Sequence, residues 1–449
     1  MSRPDFDIVV VGARCAGAAL GTFAARAGAR VLLLDRDRMP SDQVLSTHQV
    51  HPRGMDVLDE LGVGDDVRAR APASPRIRLV KGDAAVDLRF TAGRAEFCPR
   101  RKRLDGLLQA AAVAAGAELR DRTRVDDVVF EGERAAGVRT QGHDGARTTI
   151  RAALVVGADG RHSRVARQVG AQEYLGYDAP RAIYWGYWNA PAAWYGDDYP
   201  FDMYLGHGRH IRVIFQTDDD QLLIAGVPPV DEAAAWRREP LAALRASLAA
   251  NPVTGPLIEG RDPDGKVRGT FRERYFFRRG AGPGWALVGD AGHHKDFVVG
   301  DGITEALLQA RSLAAAIARQ SDPALVQWWR ERDLEALPPY YWGQDEGKVA
   351  PPGVLEAAVL RRVSRRPALA RRMVRVPERQ SSPYDALPLP VILAALAGCL
   401  LRGQAHALPE FLAQARRVRQ YRGEVAARRR LLEDAVAQAL PEHARASGW

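Results

Sequence analysis

Gly12-Ala13-Arg14-Cys15-Ala16-Gly17 lies between the apolar run Asp7–Val11 and the Ala-rich stretch Cys15–Ala27. Gly12 permits a tight turn where a strand passes into a helix, and Gly17 permits the helix to lie close on that strand. Free N–H groups at such a helix start, with a dipole of roughly +0.5 charge, attract an anion. The motif therefore predicts a seat for a dinucleotide pyrophosphate, with Arg14 in place of the usual middle glycine. Asp35 closes the next apolar run, Arg30–Leu34, and lies 18 residues past Gly17. An acid near that spacing binds a ribose hydroxyl pair. Taken alone, the motif also reads as a Gly/Ala-rich turn that binds nothing.

Two later constellations favour the first reading. Leu154–Arg167 runs as a strand, a turn carrying Asp159 and Gly160, and a helix start. Trp285–Val288 is a short apolar strand that ends in Gly289-Asp290, and Gly300-Asp301-Gly302 precedes the helical stretch Ile303–Arg319. No zinc-ligand spacing, P-loop or serine-hydrolase elbow is present.

The three motifs in this order resemble the group A flavin monooxygenases of the para-hydroxybenzoate hydroxylase type, over roughly residues 5 to 320. Geranylgeranyl reductases and flavin-dependent halogenases are wider kin. The resemblance implies FAD as cofactor. Gly12, Ala13, Arg14, Cys15, Ala16 and Gly17 would hold its pyrophosphate, Asp35 its ribose, and Arg36 and Val125 would join the cofactor set. Asp159 and Gly160 would serve the pyrophosphate side and a passing NAD(P)H. Gly289 and Asp290 would meet the ribityl chain. Gly300 and Gly302 would let the backbone approach the flavin pyrimidine edge, with the helix start stabilising charge there. Arg101 matches an arginine near the FAD phosphates or ribityl chain, or else is a solvated helix charge. His48, in Ser46-Thr47-His48-Gln49, would lie near the isoalloxazine, or else is a cap or core histidine.

Two departures stand out. His293-His294-Lys295-Asp296-Phe297-Val298 lacks the proline usual near the flavin. Trp185-Gly186-Tyr187-Trp188-Asn189-Ala190-Pro191 does not have the spacing of the halogenase Trp-x-Trp-x-Ile-Pro signature, which disfavours halogenation. These aromatics either line a pocket or fill a core. With no second Gly-rich nicotinamide motif, NAD(P)H is expected as a transient reductant that hands a hydride to FAD, and O2 as the co-substrate. The expected function is a monooxygenase that hydroxylates or epoxidises an aromatic, polyketide-like or other apolar molecule. The alternatives are a C=C reductase of geranylgeranyl reductase type and a flavoprotein that uses FAD as the scaffold of a non-redox cyclisation. No catalytic acid or base is assigned.

The elements that must position these residues follow from patterning. Alternating strand and helix at the start gives a βαβ unit, hence an α/β, Rossmann-type FAD-binding domain with a parallel sheet. Leu119–Ile150 alternates with Gly-rich turns and reads as a small meander. Ile183–Trp188, Phe201–Leu205, His210–Gln216 and Gln221–Val227 read as strands of an inserted antiparallel β-sheet substrate domain. From Pro323 on the chain reads as helical, broken near Pro338-Pro339 and Pro351-Pro352. The expected division is 1–172 and 276–322 for the FAD-binding domain, 173–275 for the inserted sheet, and 323–449 for a helical C-terminal cap.

With 449 residues, two or three lobes are natural. The net charge of +9 comes from arginines interleaved with Asp and Glu, which favours an enzyme over a nucleic-acid binder. Cys15, Cys98 and Cys399 are too far apart for a metal or disulfide framework. They fit a reducing cytoplasm, as does an N-terminus with no signal-peptide pattern. The apolar stretch Leu387–Leu401 is shorter than the ~20 residues of a membrane span. It is expected as a buried helix, with a membrane-surface contact as the alternative.

Overall fold

The computed structural model describes residues 3–41, 48–190, 202–207 and 209–439, with 202–207 and 438–439 described by backbone alone. Phe6–Val11 runs parallel to Val31–Leu34 on one side and to the end of Arg147–Gly157 on the other. Trp285–Leu287 and Glu118–Arg120 extend this sheet in parallel at its two ends. The β-branched alternation divides its faces. Ile8, Val10, Leu33 and Val156 pack beneath Cys15–Arg26, Arg101–Ala114 and Gly302–Ile317. Val9, Leu32 and Val155 pack against the meander through Val128 and Val138. That meander is Arg124–Glu131, Arg134–Gln141 and the first part of Arg147–Gly157. Glu118–Arg120, which sequence patterning assigns in part to the meander, belongs to the parallel sheet.

The second sheet has seven strands, in the order Arg268–Thr270, Ile183–Asn189, Gln221–Val227, His210–Thr217, Asp202–His207, Arg76–Lys81 and Ala84–Arg89. Its last hairpin comes from chain between the first motif and the meander, and joins by a parallel pairing of Arg76–Lys81 with Asp202–His207. Local patterning cannot show such a long-range pairing. One face, with Tyr184, Trp188, Ile214, Leu222 and Ile224, packs on Trp236 and Leu244 of Ala233–Arg238 and Pro240–Ala249. The other carries Trp185, Val213, Phe215 and Leu223 and meets Phe297. Glu173–Asp178, Arg274–Arg278 and His293–His294 form a third, small antiparallel sheet.

Helix Asp322–Glu346 starts at Ser321, whose hydroxyl accepts a hydrogen bond from the Ala324 amide. It runs through Pro338 and Pro339 without a break, contrary to the sequence expectation. Trp328, Trp329 and Leu337 before or at the pair, and Tyr340 and Tyr341 after it, are all buried. Their packing outweighs the roughly 3 kcal/mol that an interior proline costs. Val354–Ser364 and Pro367–Met373 cover the hairpin through Leu360, Val363 and Leu369 against Ile77, Val86 and Leu88. Ala407–Ala439 lies along Asp322–Glu346, with Tyr421 edge-on to Tyr341. Leu389–Leu401 is a helix, but only Ala395, Leu396 and Cys399 of it are buried. The expectation of a buried helix fails because the helix rests on Val354–Ser364 and the start of Ala407–Ala439 along a narrow strip of mostly small side chains.

Candidate functional site

The motif residues converge at one end of the parallel sheet. Gly12 has φ +104°, and a Cβ there would lie 2.4 Å from the Ala158 carbonyl oxygen. A Cβ on Gly17 would lie 1.9 Å from the Gly12 carbonyl oxygen, so only glycine lets helix and strand approach this closely. Asp35 is buried, and its two oxygens accept hydrogen bonds from the Ala13 and Asp37 amides, each at 3.0 Å. Its carboxylate is thus fastened to the glycine turn and keeps spare acceptor capacity. Burial pushes its pKa up, against the pull of those amides. Arg14 pairs with Asp37 at 2.8 Å, and Arg36 is exposed at the rim. Val125 is buried at the start of the meander, two residues from Thr123, whose amide donates to the Asp35 carbonyl.

Arg101 is buried and bonds both oxygens of Asp105 at 3.0 Å, which rules out a solvated helix charge. Cys15 donates its S–H to the same carboxylate, and burial pushes that thiol up, so it stays protonated. Nε of Arg101 has no hydrogen-bond partner among the described residues. Two glutamines that motif reading missed hold the turns: Gln109 donates to the Ala13 carbonyl at 2.8 Å, and Gln309 accepts from the Gly289 amide at 2.9 Å. Gly289, with φ +60°, leaves its missing Cβ 3.1 Å from the Ala16 side chain, which joins the first and last motifs. Asp159 accepts from the Arg164 and Val165 amides and so caps the following short helix. Gly160, at φ +76°, has open space around it.

Asp290 lies partly open, with its carboxylate 3.4 Å from His294. Burial opposes its ionisation, but His294, Lys295 and Arg161 outweigh that and hold it down to about 2. Burial likewise opposes charge on His294, yet Asp290 and Glu273 lift it to about 9. Gly300 turns with φ +64° into helix Gly302–Ile317, and a Cβ on Gly302 would meet nothing within 4 Å. The helix start is tied down by residues without a motif. His51 pairs with Glu96, its other ring nitrogen lies 3.1 Å from the Val299 carbonyl, and its amide donates to Thr304. Lys295 pairs with Glu305, and Arg379, from the C-terminal region, pairs with Asp301. A cavity of about 310 Å³ opens beside this helix start, lined among others by His51, Asp301, Trp342 and Arg379.

Across from the cradle stands the second sheet. His48, buried and with φ +64°, hydrogen-bonds Tyr187 through Nε2, and the two rings stack at 5.9 Å. Burial, with Arg101 and Arg100 nearby, pushes the His48 imidazole well down, so it is neutral. The Arg100 guanidinium lies 3.9 Å over the Tyr187 ring. Phe297, in the stretch where a proline is usual, packs into the Trp185 and Phe215 face. Ser46 and Thr47 lie outside the described residues, as does Pro191.

The family model described as FAD binding domain matches residues 5–324. Among curated relatives, digeranylgeranylglycerophospholipid reductase of Methanocella arvoryzae is 26% identical over 329 residues, covering 70% of this chain and 78% of that protein. The myxobacterial chondrochloren halogenase CndH has a similar structure, with TM-score 0.66 and 25% identity over 75% of this chain and 82% of its own. Aklavinone-11 hydroxylase, solved with FAD and aklavinone, has TM-score 0.60 and 22% identity over 77% of this chain and 69% of its own.

Proposed function

On the footing that this chain belongs to the FAD binding domain family and is an FAD-dependent oxidoreductase, we propose that it is a monooxygenase. Its substrate would be an aromatic or polyketide-like apolar molecule, hydroxylated or epoxidised with NAD(P)H and O2. The observation that supports this reading is the buried aromatic sheet face of Trp185, Tyr187, Phe215 and Phe297, which the His48–Tyr187 hydrogen bond ties to the segment near Arg100 and Arg101. Flat aromatic walls with one placed polar group suit a flat, largely apolar substrate.

The residues present fit FAD. Open space surrounds Gly160 and Gly302, where a Cβ would meet nothing within 4 Å, and Nε of Arg101, which shares Asp105 with Cys15 of the glycine turn, is a donor with no partner among the described residues. Gly12 through Gly17 would hold the pyrophosphate, Asp35 the ribose, Arg101 and Asp290 the ribityl and phosphate side, and Gly300 with Gly302 the pyrimidine edge. Bound FAD supplies hydride acceptance from NAD(P)H and the activation of O2. The aromatic wall orients the substrate and excludes water. Neutral His48 hydrogen-bonds the Tyr187 hydroxyl through Nε2 and fixes its position.

The test is oxygen uptake by purified, FAD-loaded protein with NADH or NADPH, against a panel of phenols and polyketide aromatics. Substrate-stimulated uptake with an oxygenated product is the expected result. A second reading, reduction of an isoprenoid C=C bond, draws on the likeness to digeranylgeranylglycerophospholipid reductase. Turnover that continues at full rate without O2 would sink the monooxygenase and leave the reductase.

A further inference from the structure

Leu389–Leu401 reads LPVILAALAGCLL, with no charged residue. Ala395, Leu396 and Cys399 bury against Leu355 and Ala358 of the neighbouring helix. The other side is bare: Leu389, Leu393, Leu400 and Leu401 are exposed, Leu401 by 89%. Positions 389, 393, 397, 400 and 401 fall on one helical face, with exposed Ala397 between the leucines. Beyond the turn at 402–406, Leu408 and Leu412 are exposed as well. Arg416 and Arg419 follow Leu412 at helical spacing and are exposed, as is Arg402 directly after Leu401.

Charge decides what covers this face. From 354 to 439 there are sixteen arginines, no lysine and seven Asp or Glu, a net of +9. The whole chain also carries +9, so everything outside this region sums to zero. A leucine stripe flanked by cations is the pattern of a helix lying in the headgroup plane of an anionic bilayer. A second copy of the chain would bring two such cationic regions together, which charge repulsion opposes. The helix is too short to cross a bilayer, and no helix of the described residues is long and apolar enough to do so.

We propose that the exposed leucine face of Leu389–Leu401, with the adjoining arginines, seats this protein peripherally on an anionic lipid surface. The inference stands on the surface alone and does not depend on the reaction proposed above.

Flotation of the full-length protein with vesicles tests it. Phosphatidylcholine vesicles containing phosphatidylglycerol should carry the protein to the top of a density gradient at low salt, and less of it at high salt. Pure phosphatidylcholine vesicles should carry little. The double variant L393D/L401D should lose flotation while keeping its thermal midpoint and flavin content. R416E/R419E should weaken partitioning by roughly fivefold or more per arginine. Absence of flotation with both vesicle types would overturn the proposal, as would L393D/L401D floating like the wild type. A wild-type dimer by light scattering that L393D/L401D converts to a monomer, with no vesicle binding by either, would assign the face to a second copy.

Discussion

Asp290 stands at the end of a buried strand with its carboxylate partly open, and with His294, Lys295 and Arg161 keeping it ionised. An ionised acid in that place is a strong acceptor for a ribityl hydroxyl. Asp290→Ala should weaken FAD binding by about 1.5–3 kcal/mol, roughly ten- to a hundredfold in Kd, and leave the fold intact. Flavin fluorescence titration of the apoprotein would show it, and unchanged affinity would remove Asp290 from the cofactor site. The partner histidine gives a pH prediction. His294 is raised in the folded chain to about 9, so the stability it adds is complete below its ordinary value near 6.5 and fades as pH rises toward 9. The thermal midpoint of the apoprotein should fall across that window, and fall less in His294→Gln. Equal slopes in the two proteins would refute the assignment. Neither the state of His294 nor that of Asp290 could be read from residue type. Each is set chiefly by the other, four residues away, with Glu273 adding to the lift on His294 and Arg161 to the pull on Asp290 from farther along the chain.

At the scale of elements, the turn between the first strand and helix shows which residues tolerate nothing else. A Cβ on Gly17 has only the rigid Gly12 carbonyl to displace. Gly17→Ala should therefore push the helix off the strand, cost on the order of 1–3 kcal/mol and abolish FAD retention. Denaturant unfolding and the flavin absorbance of purified protein measure both, and normal flavin content would show the turn to be looser than this. This turn, Asp35 and the strand–helix rhythm were legible in the sequence, because glycine spacing and apolar runs are local signals. Helix Asp322–Glu346 was not legible across Pro338-Pro339, because the aromatic packing that carries it through comes from other elements. The same limit hid the hairpin Arg76–Arg89, whose place in the second sheet depends on a strand more than a hundred residues away.

At the scale of the whole molecule, the C-terminal region packs on the body of its own chain. Trp328 and Trp329 complete the core beside the FAD-binding motifs, and Arg379 reaches Asp301 and Glu305 at the start of helix Gly302–Ile317. Removing everything after Arg319 would bare that core. The truncated chain should be insoluble or poor in flavin although every glycine motif remains, and a soluble, FAD-loaded, active product would mark the region as an appendage. A milder cut makes the same point. Arg379→Met takes from buried Asp301 and Glu305 one of the two side chains, Arg379 and Lys295, that each pair with both. It should cost about 3 kcal/mol or more in denaturant unfolding, whereas a change under about 0.5 kcal/mol, typical of a surface site, would show that the pair is solvated.

By itself the sequence determined the α/β core and the positions of its glycine turns, while FAD as the cofactor followed from the resemblance that those motifs carry. These rest on steric and dipolar demands within a few residues, which local spacing records. Only the tertiary structure decided that Arg101 is buried on Asp105, that His48 meets Tyr187, and that Lys295 and Arg379 share the carboxylates of Asp301 and Glu305. It also decided that the uncharged apolar helix Leu389–Leu401 turns four of its five leucines outward. A side chain's partners, and so its charge and exposure, are set by segments distant in sequence whose approach no local pattern encodes.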